Sequence, residues 1–236
     1  EMCIRDRDSS GSQGKDTAWI DDISFPTAQF VTPACSVTIS PGSSIQRAID
    51  AAPLVAYASD YVICLEAGEW EENLVITKNL TLLGAGSDKT RIKGKIEIAG
   101  EVCVEIGYLS ITNSRSNGIT VRGNSEVRVH HCIIGDNGGH GVAFEADRWG
   151  STWCNLIKDN AGVGISRAGH SYGSDAGNVI RGNKEGGIYL AGRAHNIEIE
   201  ANNISANKKG GIAILLPAGY QVKITRNIIS NNRAAG

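Results

Sequence analysis

The sequence predicts an all-β fold: a right-handed parallel β-helix with coils of about 23 residues and an N-terminal capping helix. Three observations predict it. Ser114, Asn137, Asn160, Asn183, Asn207 and Asn232 follow one another at intervals of 23, 23, 23, 24 and 25 residues. An isoleucine stands three positions before each of them and a glycine four positions after. Aromatic residues make up only 6% of the chain, with 29 glycines and 5 prolines, which suits short strands joined by tight turns.

A period near 23 residues, with every apolar segment short and no recurring helical stripe, fits a solenoid of strands and turns. Parallel strands stack ~4.8 Å apart, so each column of the repeat becomes a ladder of like side chains. Ile111, Ile134, Ile157, Ile180, Ile204 and Ile229 form one such column, expected to fill the interior. A second reads Leu109, Cys132, Asn155, Asn178, Asn202 and Asn227. Asparagines stacked at turns let each amide bond the next coil. Apolar pairs two residues apart (Val104 and Ile106, Val127 and Val129, Ile197 and Ile199, Val222 and Ile224) are expected to point inward. The glycine column, Gly118, Gly141, Gly164, Gly187, Gly211 and Gly236, is expected to supply positive φ where the chain turns. The crossover rule gives the right hand.

Along the chain, residues 1–7 read as the translation of a sequencing adaptor and are set aside. Residues 8–27 end in Ala18-Trp19-Ile20-Asp21-Asp22-Ile23-Ser24-Phe25-Pro26, which resembles the final strand of jelly-roll β-sandwich domains of large bacterial secreted proteins. That stretch is expected to be the remnant of a preceding domain, and residues 28–36 a linker. Ile45, Ala48, Ile49 and Ala52 then fall at helical spacing, with Ser43 or Ser44 as cap and Pro53 as stop. Strand-like runs follow at Tyr61–Leu65, Leu74–Thr77, Leu80–Leu83, Lys95–Ile98 and Val102–Ile106. The β-helix is expected over 37–236, cut at its C-terminal end.

Charge and composition exclude several functions. With 25 acidic and 23 basic residues the formal net charge is −2, so no nucleic-acid partner is expected. The longest apolar run, Ile212–Pro217, is far too short to enter a bilayer. Apart from Cys3 there are five cysteines, an odd number with no C-x-x-C pair, and these read as small core residues.

The region from residue 36 onward resembles the right-handed β-helix superfamily of pectin-active enzymes and related carbohydrate-binding proteins. The closest likeness is to pectin methylesterases. It lies in the capping helix Ser44-Ile45-Gln46-Arg47-Ala48-Ile49-Asp50-Ala51-Ala52-Pro53, the element Gly68-Glu69-Trp70-Glu71-Glu72, and the strand and turn Asn79-Leu80-Thr81-Leu82-Leu83-Gly84-Ala85-Gly86. The resemblance implies an aspartate nucleophile, a second aspartate and a glutamine for an esterase. Here His140-Gly141-Val142-Ala143-Phe144 carries histidine where the glutamine belongs, and Asn178-Val179-Ile180-Arg181-Gly182 lacks the carboxylate. Esterase chemistry is therefore disfavoured. A likeness to alginate epimerases is limited to Tyr172-Gly173-Ser174-Asp175, without the following proline and histidine.

Other candidates come from the period itself. Asp147, His170 and Arg193 stand 23 residues apart in one column. There a histidine between a carboxylate and a guanidinium could move a proton on a uronic acid. Glu145, Arg148 and Tyr172 lie near that column, and Trp149 and Trp153 offer faces for sugar rings beside His130 and His131. Asp136 and Asp159, one coil apart, are the candidate ligands for Ca²⁺, against the plainer reading of solvated turn residues; no other cofactor is expected. Strand alternation lapses around Gly150–Thr152 and Gly173–Asp175, which marks either a cleft or loop variation.

The favoured reading is a β-helix domain of a secreted or cell-surface multidomain protein, extracellular, covalently flanked by other domains, with polysaccharide as partner. A lyase or epimerase acting on a uronic-acid glycan is the alternative, and a structural stalk between adhesive domains the second. Whether the domain is an enzyme is left open by the residues.

Overall fold

The computed structural model describes residues 34–146 and 149–233. The adaptor-like residues 1–7, the strand expected within 8–27 and most of the linker lie outside the described residues. The rest is an all-β right-handed parallel β-helix of about eight turns, with one α-helix. Its described strands form three parallel sheets of nine, eight and seven strands, here the first, second and third sheet. Each regular coil visits them in that order: Glu126–His130 in the first, Ile133–Gly135 in the second and Val142–Ala146 in the third. No helix among the described residues is long and apolar enough to cross a membrane.

The capping helix spans Ile45–Ala51, and the Ser44 hydroxyl accepts from the Arg47 N–H at 3.2 Å. Ile45 and Ile49 close the interior from this end. The glycine–tryptophan–glutamate element holds the helix in place. The Trp70 indole donates to the Ser43 carbonyl at 2.9 Å, and Glu72 accepts from the Gln46 N–H at 3.1 Å. Cys35 and Cys64 form a disulfide with their Cα atoms 5.7 Å apart, correcting the expectation that both are plain core thiols. The bond ties the segment before strand Val37–Ile39 to strand Val62–Leu65. Ser36 also donates its N–H to the Val62 carbonyl, so the first coil begins inside the expected linker. Strands Gly68–Trp70 and Thr90–Lys93 add to those read from the sequence, each too short to show a period.

Two asparagine ladders run up the second sheet's corners. In one, Asn137, Asn160, Asn183 and Asn207 are each at most 2% exposed. Each takes its predecessor's backbone N–H on Oδ1, and from Asn160 onward the predecessor's amide N–H as well, as Asn183 does from Asn160 at 3.1 and 2.9 Å. Its own Nδ2 donates to a carbonyl below, Ile157 in this case, at 3.3 Å. The other ladder, Asn155, Asn178, Asn202 and Asn227, repeats the pattern and ends on the Cys132 N–H. The residue before each ladder position turns the chain in the left-handed region. Asp136, Asp159, Ala206 and Asn231 do so at one corner, and Tyr108, His131, Cys154, Ala201 and Arg226 at the other, with φ between 51° and 58°.

The glycine column therefore has a different cause from the one expected, since its described members have no positive φ. A Cβ on Gly164 would lie 2.5 Å from Ile180 Cγ2 and 2.8 Å from the Gly187 carbonyl. Glycine there is the space into which the next coil's isoleucine packs. The isoleucine column is fully buried from Ile111 to Ile204. At the last described coil the inward-facing Ile224 and Ile229 are 42% and 49% exposed, because no described coil covers them.

One feature of the interior breaks the apolar pattern. Arg167 occupies the column of Val121, Phe144 and Leu190 in the third sheet and is fully buried. Its Nε and Nη2 donate to Asp175 Oδ2 and Oδ1, both at 2.8 Å, and Asp175 is also fully buried. The Thr152 hydroxyl donates to the same carboxylate at 2.8 Å, and the guanidinium lies 4.2 Å from the Phe144 ring centre. A bidentate pair of this kind crosses the solenoid from the third sheet to the first. The segments where alternation lapses, around Gly150 and Gly173, are both strands, Trp149–Trp153 and Tyr172–Ala176, and Gly173 and Ser174 line a hollow on the outer face. A Cβ on Gly150 would sit 2.3 Å from Phe144 Cε1, and one on Gly173 would sit 2.0 Å from the Gly150 carbonyl.

Candidate functional site

The outer face of the first sheet carries a hollow of about 820 Å³. Alternation places every second residue of a strand on that face. Register then stacks Trp149 on Tyr172, and Ser151 on Ser174, Glu198 and Lys223. Ser174, Glu198 and Lys223 form the floor; Trp149, Tyr172 and Tyr220 supply aromatic surface; Asn196 and Gln221 contribute amides. Glu198 and Lys223 are paired at 3.2 Å. Above Trp149 the Arg128 guanidinium stands 5.4 Å from the ring centre while bound to Glu126 at 2.7 Å.

A smaller hollow of about 290 Å³ adjoins it, lined by His170, His195, Asn196, Gly219, Tyr220 and Gln221. Asn196, Tyr220 and Gln221 line both, so the two form one groove. Aromatic rings continue along it: His195 lies 5.6 Å from Tyr172 and 6.0 Å from Tyr220, centre to centre. The corner exists because two coils are longer. Arg167 pairs with Leu190, but Gly173 pairs with Ile197, so one extra residue enters between them. Leu190 pairs with Ile214 and Ile197 with Val222, so another enters in the next coil. His195, Asn196, Gly219, Tyr220 and Gln221 occupy these lengthened crossings. Sequence reasoning missed them, although the drift of the period from 23 to 24 and 25 carried the signal.

The sequence-derived candidates divide. Trp149 and Tyr172 meet in the groove, and His170 reaches its smaller end, 5.4 Å from His195. Arg193 is exposed beside it; its N–H binds the Gly169 carbonyl and its carbonyl lies 3.1 Å from His195 Nδ1. Asp147 and Arg148 lie outside the described residues. Glu145 belongs to a different face, where it binds Arg122 at 3.1 Å. Trp153 is half-buried and stacks on His130 at 4.7 Å, in a cluster with Tyr108 and His131. There the hydrogen bond from His130 holds the Glu105 carboxyl below its usual range.

Asp136 and Asp159 sit on adjacent turns, both exposed, with φ of 57° and 56°. That backbone favours aspartate by itself. Asp159 binds Lys158 at 3.3 Å, and among the described residues no three histidine, cysteine or acidic side chains converge as metal ligands would. Asp175, in the epimerase-like stretch, faces the interior and not the solvent.

His140 acts in the framework. Its Nδ1 accepts from the Val163 N–H at 3.1 Å, and burial holds its pKa below that of free imidazole. A depressed value means stability that is complete above the unfolded pKa of about 6.5 and is lost as pH falls through that value toward the folded one. Melting temperatures measured between pH 7.5 and about 5 should fall for the parent and fall less for His140→Asn, whose side-chain carbonyl accepts without titrating. Equal slopes for the two proteins would remove His140 from the acid response.

Among solved structures, a pectin methylesterase in complex with hexasaccharide VII is 12% identical with a TM-score of 0.47, covering 84% of this chain and 81% of that one. The A-module of the Azotobacter vinelandii mannuronan C-5 epimerase AlgE6 is 18% identical with a TM-score of 0.39, covering 80% and 71%. No match to a curated protein is found. Residues 65–235 match the family described as periplasmic copper-binding protein (NosD). That span takes in nearly all of the regular coils, and the chain belongs to the NosD family.

Proposed function

We propose that this domain binds polysaccharide along the groove on the first sheet, outside the cytoplasm. The observation that carries the reading is the aromatic surface along one hollow, Trp149 and Tyr172 on adjacent coils and Tyr220 two coils further on, with amides and a serine between them. Sugar rings present apolar C–H faces to aromatic surfaces and hydroxyls to amides. Coil spacing of ~4.8 Å is close to the length of one sugar unit, so successive coils address successive sugars. The Cys35–Cys64 disulfide supports an oxidising compartment, and the family is described as periplasmic.

Copper, named in the family's description, does not suit the residues described. A copper centre needs several converging donors, imidazole with oxygen ligands for Cu(II) or thiolate and thioether sulfur for Cu(I). Burial pushes the Cys132 thiol up to about 12, Cys35 and Cys64 are bonded to each other, and no ligand group of three forms among the described residues.

Affinity electrophoresis through gels carrying soluble polysaccharides tests the reading. Retardation by at least one glycan is expected, and Trp149→Ala or Tyr172→Ala should each weaken it roughly 2- to 12-fold, the range of one lost aromatic contact. Retardation indifferent to both changes would move the site elsewhere. The lyase or epimerase alternative draws on His170, which lines the smaller hollow 5.4 Å from His195. It requires unsaturated or epimerised product from a polyuronide, lost in His170→Ala.

A further inference from the structure

We infer that the groove selects an uncharged, hydroxyl-rich polysaccharide and rejects polyuronates, with Glu198 as the residue that enforces the choice. The inference rests on the polysaccharide reading and adds its ligand class.

Among the described residues lining both hollows, the only permanently charged side chains are Glu198 and Lys223. They bind each other at 3.2 Å on neighbouring strands of the floor. A chain of uronic acids carries one carboxylate per unit, so a groove holding several units needs several unpaired cations. This floor offers none: its single lysine is already neutralised, and the glutamate beside it repels a carboxylate. Two further cations stand near the groove but outside both linings: Arg128 over Trp149 is bound to Glu126 at 2.7 Å, and Arg193 is exposed by the smaller end.

What remains for recognition is neutral. The Asn196 and Gln221 amides each offer two donors and an acceptor, and Ser174 offers a hydroxyl. Vicinal sugar hydroxyls satisfy such groups while the ring faces cover Trp149, Tyr172 and Tyr220. Glu198 has a second role here, because it accepts from hydroxyls as readily as from lysine. Removing its charge while keeping its shape would release Lys223 to face the groove unpaired.

The test compares neutral polysaccharides (a soluble β-glucan, xylan and galactomannan) with polygalacturonate and alginate by affinity electrophoresis, at low salt and in about 0.5 M NaCl, where surface charges are screened. For the parent, a neutral glycan should retard the protein with dissociation constants that agree within about twofold at the two salt levels, and the polyuronates should not retard it. Glu198→Gln should gain salt-sensitive retardation by a polyuronate, and Gln221→Ala should weaken retardation by the neutral glycan. Polyuronate binding by the parent that equals or exceeds neutral binding would overturn the inference and leave the polysaccharide reading standing. Failure of every glycan to retard the parent would overturn both.

Discussion

Asp175→Ala is expected to destabilise the domain by about 3–5 kcal/mol, because it strands the Arg167 guanidinium without a counter-charge in a dry interior. The two side chains are fully buried and joined by two hydrogen bonds of 2.8 Å. Arg167 Nη2 also donates to the Gly150 and Ser174 carbonyls at 2.9 and 3.3 Å, so the pair braces from within the strand that forms the groove floor. The double change Arg167→Met with Asp175→Val should recover most of the loss, since apolar residues of like volume serve such a position as well. Chemical denaturation of the parent and both variants checks this. A loss below about 1 kcal/mol for Asp175→Ala would mean that water reaches the guanidinium and that the interior is open there.

Asn183→Ala should come next in size, at about 2–4 kcal/mol, from several hydrogen bonds lost at once in a buried ladder. The Asn183 side chain accepts twice from Asn160 and donates to Ile157 and Asn207. Its removal leaves the Asn160 N–H without an acceptor and the Asn160 amide with the Ile134 carbonyl alone. The same change at Asn232, a part-buried end position, should be milder because solvent can replace what is lost. Adding Asn160→Ala to Asn183→Ala should cost less than the sum of the two singles, since they share the bonds removed. Strict additivity in denaturation would show that the rungs act independently.

These two cases also mark what could be read from the amino acids alone. The asparagine and isoleucine columns were legible because one period places each residue type at one corner, and identical neighbours bond in only one way. The glycines were located but misread: their role lies in the clearance left for Ile180 and its equivalents, and clearance has no signature in a linear pattern. Arg167 and Asp175 were opaque for a stronger reason. Charged residues within strands are assigned to the solvent side, and nothing in the linear pattern marks Arg167 and Asp175 as facing each other across the inside. Cys35 and Cys64 were hidden by the odd cysteine count. Of the candidate site, Trp149, Tyr172 and His170 were found from aromatic and periodic cues. Tyr220, Asn196 and His195 required knowing which corner absorbs an added residue.

That corner has a consequence for how the domain can be altered. Both added residues enter at the crossing from the third sheet to the first, while the Asn183–Asn207–Asn232 and Asn178–Asn202–Asn227 bonds continue across them unbroken. The crossings are thus the place where the chain tolerates a change of length without disturbing its stacked amides. The same crossings supply the groove with His195, Asn196, Tyr220 and Gln221. Scaffold and recognition surface are separable by position within each coil, so segments grafted at 191–196 or 216–221 can retool the groove while the framework is inherited intact. Any family built this way can diversify its ligands by trading corner segments and conserve its columns.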